Sequence, residues 1–104
     1  MGKPWEKMDA VDILRAARKR IESPEQWGQG VRRRNRPFET CCASEAIEDL
    51  PLGYTGERRR AFRALMNAAG LDSAIHIVRW NDEPGRTHAE VLAAFDLAIA
   101  ALKL

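Results

Sequence analysis

Three residues have the types that a cysteine-dependent hydrolase or transferase needs: Cys42, His88 and Asp82, with Asn81 as an alternative to the last. A thiol near a helix start has its thiolate favoured by the helix end. An imidazole within reach could take the proton, and a carboxylate or amide could orient that imidazole. The plainer reading of the same residues is structural. Cys42 is small and apolar enough for a core. His88 falls at the first position of a helix, where it can bond the preceding loop. Asp82 can pair with Arg86, and Asn81 can bond to backbone. No oxyanion hole or substrate pocket can be read from the chain. The structural reading is therefore preferred, and catalysis is kept as the alternative.

Metal chemistry has less support. Cys41, Cys42, His76 and His88 number four potential ligands. Adjacent cysteines and scattered histidines do not follow the usual zinc spacing, so no metal is expected. Gly28-Gln29-Gly30 and Pro84-Gly85-Arg86 match neither a Walker nor a Rossmann fingerprint, so no cofactor is expected. A disulfide between neighbouring residues would strain the peptide. Two reduced thiols suit the cytoplasm. The stretch Met1–Lys7 has no apolar signal core. No window is apolar enough to span a membrane, and Asp96 interrupts the hydrophobic last helix.

Binding is the better-supported function. Lys and Arg number 17 and Asp and Glu 15, so the net charge of +2 does not by itself call for nucleic acid. Cations cluster at Arg15–Arg20, at Arg32–Arg36 and at Arg58–Arg63. Most charge runs are solvated faces. The middle cluster differs because it falls in irregular chain. Arg32, Arg33, Arg34 and Arg36 could contact phosphates, and Phe38 could stack on a base. The same residues could dock an acidic protein surface. No convincing recognition helix is present, so sequence-specific DNA reading is not expected. The expectation is a non-enzymatic interaction protein with a macromolecular partner. That partner is a protein, or nucleic acid held by non-specific phosphate contacts.

The elements that would position these residues are helical. The 104 residues, 45% of them hydrophobic, suit one domain over 9–104 behind an arm of residues 1–8. Asp9 caps a helix to about Glu22, with Ala10, Val11, Leu14, Ala17 and Ile21 on its apolar side. Ser23, Pro24 and Gln26 start a single turn, and Trp27 anchors it on that first helix. Residues 28–39 are irregular. Thr40 offers a cap for a helix of about Cys41–Asp49, followed by a loop at Leu50–Tyr54. Thr55 offers another for about Gly56–Ala69, with the stripe Ala61, Phe62, Leu65, Met66 and Ala69 and a stop at Gly70. Residues 74–80 are β-branched but have no evident strand partner. A short helix is preferred there, with a short strand near 74–79 as the alternative. Thr87 and Glu90 have capping-box spacing. The last helix then runs to Leu102 on Val91, Leu92, Phe95, Ala98, Ile99 and Leu102. The fold class is all-α, with four to five helices and one long basic loop.

The stretch Trp80–Val91 reads as a folded clamp. Pro84-Gly85 makes the turn, Trp80 is buried, and Asp82 and Arg86 lock the loop. Trp80-Asn81-Asp82-x-Pro84-Gly85-Arg86-Thr87-His88-x-Glu90-Val91 resembles the closing motif of a family of small bacterial and phage proteins of unknown function. Trp27-Gly28-Gln29-Gly30 is similar to that family's Trp-x-Gln-Gly turn. Cys42-Ala43-Ser44-Glu45-Ala46 is similar to its Cys-Ala-x-Gly-Ala helix start, with Glu45 where Gly is usual. The resemblance implies a single domain and no particular activity. Through the family's habitat it also implies an adaptor to, or inhibitor of, a larger host machine.

Overall fold

A computed structural model describes residues 8–30, 41–48, 50, 56–72 and 76–104. These form α1 (Ala10–Arg20), a 3-10 turn (Pro24–Gln26), α2 (Ala43–Glu48), α3 (Gly56–Ala68), α4 (His76–Asp82) and α5 (His88–Leu102). The all-α expectation holds. The expected arm lies almost wholly outside the described residues, as do the caps expected at Thr40 and Thr55.

α1 and α5 each begin at a capping box, and α3 ends at a glycine. At α1, Asp12 N–H donates to Asp9 Oδ1 at 2.9 Å, and Asp9 N–H donates to Asp12 Oδ2 at 3.3 Å. Two of the helix's free donors are thereby satisfied. Arg18, Lys19 and Arg20 sit in the last turn, where cations complement the helix dipole. The N-terminal turn of α3 reaches across to α1, because Glu57 Oε1 accepts the Ala10 N–H at 3.1 Å. α3 stops at Gly70, whose φ of +75° suits glycine. Leu71 N–H returns to Met66 O at 2.9 Å and Gly70 N–H to Asn67 O at 3.1 Å, the bond pattern of a Schellman ending. At α5 the expected capping box is present. Glu90 N–H donates to Thr87 Oγ1 at 3.1 Å, and Thr87 N–H donates to Glu90 Oε1 at 2.8 Å.

α1, α3 and α5 each pack on the other two, and α2 bears on α1, α3 and α4. The core between them holds Ile13, Leu14, Ala17, Ile47, Ala61, Leu65, Ile77, Val91, Phe95 and Ala98, all fully buried. Ile13, missing from the expected stripe of α1, is one of them, whereas Val11 is only half-buried. The radius of gyration is 13.1 Å, close to that of a single folded domain of this length. Among the described residues no helix is long and apolar enough to cross a membrane.

Of the ambiguous segment 74–80, the described part from His76 on is helical, as preferred. Ile77 and Asn81 are four residues apart and both fully buried, so one helix face points inward. Packing outweighs the strand preference of Ile77 and Val78. The described residues contain one isolated β-bridge, between Trp27 and Cys41, and no strand that could pair with residues 76–82. One expectation is corrected here. Trp80, Asn81 and Asp82 form the last turn of α4 rather than a loop.

Candidate functional site

The polar residues of greatest interest meet around Asn81. Its side chain is fully buried and makes every hydrogen bond an amide can make. Oδ1 accepts the Trp27 indole N–H at 2.6 Å and the Ala43 backbone N–H at 3.0 Å. Nδ2 donates to Gly28 O at 3.1 Å and to Asp82 Oδ1 at 3.0 Å. One buried amide therefore ties the Trp27 turn, the start of α2 and the end of α4. A buried polar group without partners would be strongly destabilising, and a satisfied one specifies a single arrangement.

A seven-residue helix leaves most of its last carbonyls without intrahelical partners. Side chains from both flanks of α4 take them up. Gln29 Nε2 donates to Asn81 O at 3.0 Å and to Glu83 O at 2.7 Å. Arg86 Nε donates to Trp80 O at 2.9 Å. The Gly30 N–H donates to Asp82 Oδ1 at 2.8 Å. Gly30 has φ +58° and Gly85 φ +90°, left-handed positions that favour glycine. The two turns that wrap α4 thus depend on these residues.

The clamp forms with different partners from those expected. Asp82 does not pair with Arg86, because the last turn of α4 aims it at the Gly30 loop. Arg86 instead pairs with Glu83 at 3.0 Å and Glu90 at 3.7 Å, and its guanidinium stacks 4.4 Å over the Trp80 ring. Trp80 is half-buried rather than buried, since Arg86 covers one face and the other side opens to a groove. The Thr87 backbone N–H holds the Glu90 carboxyl below the usual carboxylate range, with help from the Thr87 hydroxyl and Arg86.

Cys42 and His88 are both engaged, and separately. Cys42 is 5% exposed and caps α2 in the place expected for Thr40. Its N–H donates to Glu45 Oε1 at 3.1 Å, and its Sγ accepts the Glu45 N–H at 3.5 Å. This is a capping box with a thiol in the hydroxyl's role, and it gives Glu45 a purpose at its position. Burial pushes the Cys42 thiol up to about 12, away from the thiolate a nucleophile needs. His88 Nε2 donates to Ile21 O at 2.6 Å, so it ties α5 to the C-cap of α1 rather than to the preceding loop. Its ring lies 5.9 Å from that of Trp27. Trp27 is therefore an anchor, as expected, but on Asn81 and His88 as well as on the core. Among the described residues no hydrogen bond joins Cys42, His88 and Asp82 into a relay. Neither Cys41 nor Cys42 is joined in a disulfide. Among the described residues no three potential ligands of the His, Cys, Asp and Glu types gather closely enough to hold a metal.

Outside the clamp, α4 borders a groove of about 890 Å³, lined by Leu71, Val78, Arg79, Trp80, Asp82, Glu83 and Pro84. The expected binding residues Arg32, Arg33, Arg34, Arg36 and Phe38 lie outside the described residues. The stretch that carries them follows Gly30, held on Asp82, and precedes Cys41. Cys41 N–H donates to Gln26 O at 2.9 Å, and its carbonyl accepts the Gly28 N–H at 3.3 Å. Gln29 and Glu83 were missed as clamp residues. The sequence signals for Gln29 are its place between two glycines and its match to the Gln of the Trp-x-Gln-Gly turn.

Fold and site together define an all-α domain pinned by a buried asparagine at the junction of the Trp27 turn with α2 and α4. The model of DUF6197, a family of unknown function, matches residues 6–101, and the chain belongs to that family. No curated protein and no solved structure matches the chain.

Proposed function

We propose that this chain is a non-enzymatic interaction protein, an adaptor or inhibitor in a bacterial or phage setting. It would hold a macromolecular partner at the outer side of α4 and the neighbouring basic stretch. One observation carries the reading. Gly30, from which the chain continues into Arg32–Phe38, is bonded to Asp82, and Asp82 lines the 890 Å³ groove. The chain thus enters its cationic stretch from a residue fastened beside a part-apolar groove. The partner class is an acidic protein surface, with nucleic acid phosphates as the second source of the same charge. Cys41 and Cys42, buried and not joined in a disulfide, fit a reducing compartment such as the cytoplasm.

The alternative, a cysteine-dependent hydrolase or transferase using Cys42, His88 and Asp82, has less support. The thiol is buried and used as a cap, and the imidazole is bonded to a backbone carbonyl. The test is retention of the full chain on an anionic matrix as salt is raised. Replacing Arg32, Arg33, Arg34 and Arg36 together by Ala should release the protein at lower salt and flatten the salt dependence. Unchanged retention would overturn the proposal.

A further inference from the structure

A recess of about 500 Å³ lies between α3 and α5, and it shares no lining residue with the groove beside α4. Its apolar part includes Ala64, Ala68, Leu97 and Ala101, and its charged residues are Arg60 and Arg63. Leu97 is 58% exposed there. Among the described residues no carboxylate lines the recess.

Arg63 lacks a counter-ion. Its neighbours at three- and four-residue steps along α3 are Arg59, Arg60, Met66 and Asn67, none of them acidic. The two carboxylates of α5 are used elsewhere: Asp96 holds Arg18 at 2.7 Å, and Glu90 faces Arg86 at 3.7 Å. Among the described residues nothing bonds to the Arg63 side chain. Arg60 is anchored only through Nη1, which donates to Glu57 at 2.9 and 3.0 Å. The cationic end of the recess is therefore short of negative charge.

Polarity runs along the recess. On the α3 wall Arg60 and Arg63 come first, and Ala64, the uncharged Asn67 and Ala68 follow. Arg60 and Ala68 lie about 12 Å apart along the helix axis, the reach of an extended medium-length alkyl chain. A cationic end leading into an apolar trough matches a molecule with one anionic head and one apolar tail. An amphipathic partner helix fits less well, because its polarity runs across its long axis. The volume also falls within the range of about 300–1,000 Å³ usual for small-molecule sites. We infer that the recess binds a medium-chain alkyl carboxylate, with the head on Arg63 and Arg60 and the chain along Ala64, Ala68, Leu97 and Ala101. A guanidinium can hold a carboxylate through two parallel N–H bonds. The chain and Leu97 cover each other from water. Both arginines are exposed, so the head stays near solvent and salt weakens binding. For a ligand of this size the affinity is modest, roughly 0.1–1 mM.

Titration of the isotope-labelled full chain with decanoate, followed by amide NMR shifts, tests this. Saturable shifts centred on Ala64, Ala68, Leu97 and Ala101 are expected, with Val78 and Trp80 unmoved. Acetate carries the head alone, and decyltrimethylammonium reverses its charge. Each should bind at least about tenfold more weakly than decanoate. Arg63→Glu, at an exposed position, should keep the circular dichroism and weaken decanoate about tenfold or more. Ala101→Glu, also exposed, sets a carboxylate in the trough and should do the same. Absence of saturable shifts at the named amides overturns the site, as does an Ala101→Glu chain that binds like wild type. Equal binding of decyltrimethylammonium, or wild-type binding by Arg63→Glu, overturns the anionic head. Equal binding of acetate overturns the tail.

Discussion

The indole N–H of Trp27 and the side-chain oxygen of Asn81 meet at 2.6 Å across 54 residues of sequence. The same oxygen also takes the first N–H of α2 at 3.0 Å. One amide therefore couples a turn and two short helices, none of which would be stable alone. Asn81→Ala should lower the unfolding free energy by about 2–4 kcal/mol, because it leaves several buried groups without partners. Asn81→Asp should be no milder, since a carboxylate cannot donate to Gly28 O and would face Asp82. Trp27→Phe keeps an aromatic ring but loses the indole N–H and part of the bicyclic packing surface, so about 1–2 kcal/mol is expected. Urea melts of the three variants give the ranking, and an unaffected Asn81→Ala chain would contradict the coupling.

Arg86→Ala removes a bond to the Trp80 carbonyl, two ion pairs and the stacking on Trp80. The ion pairs reach exposed carboxylates and contribute little. The carbonyl bond and the stacking should account for most of a loss of about 1–2 kcal/mol. Arg86→Lys retains the charge but not the planar fork, so it should recover only a small part. A thermal melt distinguishes this from a binding role, in which Arg86→Ala would keep its stability and lose its partner.

The Cys42 thiol, raised from 9.0 to about 12, should resist alkylation. Near pH 8 a shift of that size lowers the thiolate fraction roughly a thousandfold. Iodoacetamide labelling followed by mass spectrometry should find Cys42 modified quickly only in denaturant. The shift also sets a pH dependence. The thiol's contribution to stability is whole below pH 9.0 and is lost as pH climbs toward about 12, because the unfolded chain ionises first. Cys42→Ser, which restores a hydroxyl cap and removes the titrating group, should flatten that part of the profile.

His88→Ala should cost about 1–2 kcal/mol by leaving Ile21 O without its side-chain donor. The damage should spread along both joined helix ends. Hydrogen exchange should show faster opening at the end of α1 and the start of α5 than in α3. Equal acceleration across all the helices would argue against a local tie.

Much of the fold was legible because α1, α3 and α5 carry apolar stripes, α1 and α5 recognisable caps, and α3 a glycine stop. The last turn of α4 was not, because its inward position is polar. Asn81 stands where periodicity looks for an apolar residue, so Trp80–Asp82 read as loop chemistry ahead of Pro84-Gly85. Partner choice was harder still. Asp82 and Arg86 are spaced as a helical pair, but α4 ends between them and turns Asp82 toward Gly30. Spacing alone also could not place Gln29, whose partners are backbone carbonyls more than 50 residues away. Cys42 was correctly weighed as a buried thiol, but its capping role needed Glu45 to be seen in place.

The bonds that hold Gly30 and Cys41 have a consequence for how sequences of this architecture can diverge. Both ends of residues 31–40 are fastened to the same joint, Gly30 through Asp82 and Cys41 through Gln26 and Gly28. Lengthening a chain between fixed ends adds little, about 0.6 kcal/mol for each doubling. The interval is therefore a natural grafting port. Its length and charge can be rewritten, by selection or by an engineer, while the helices keep their register.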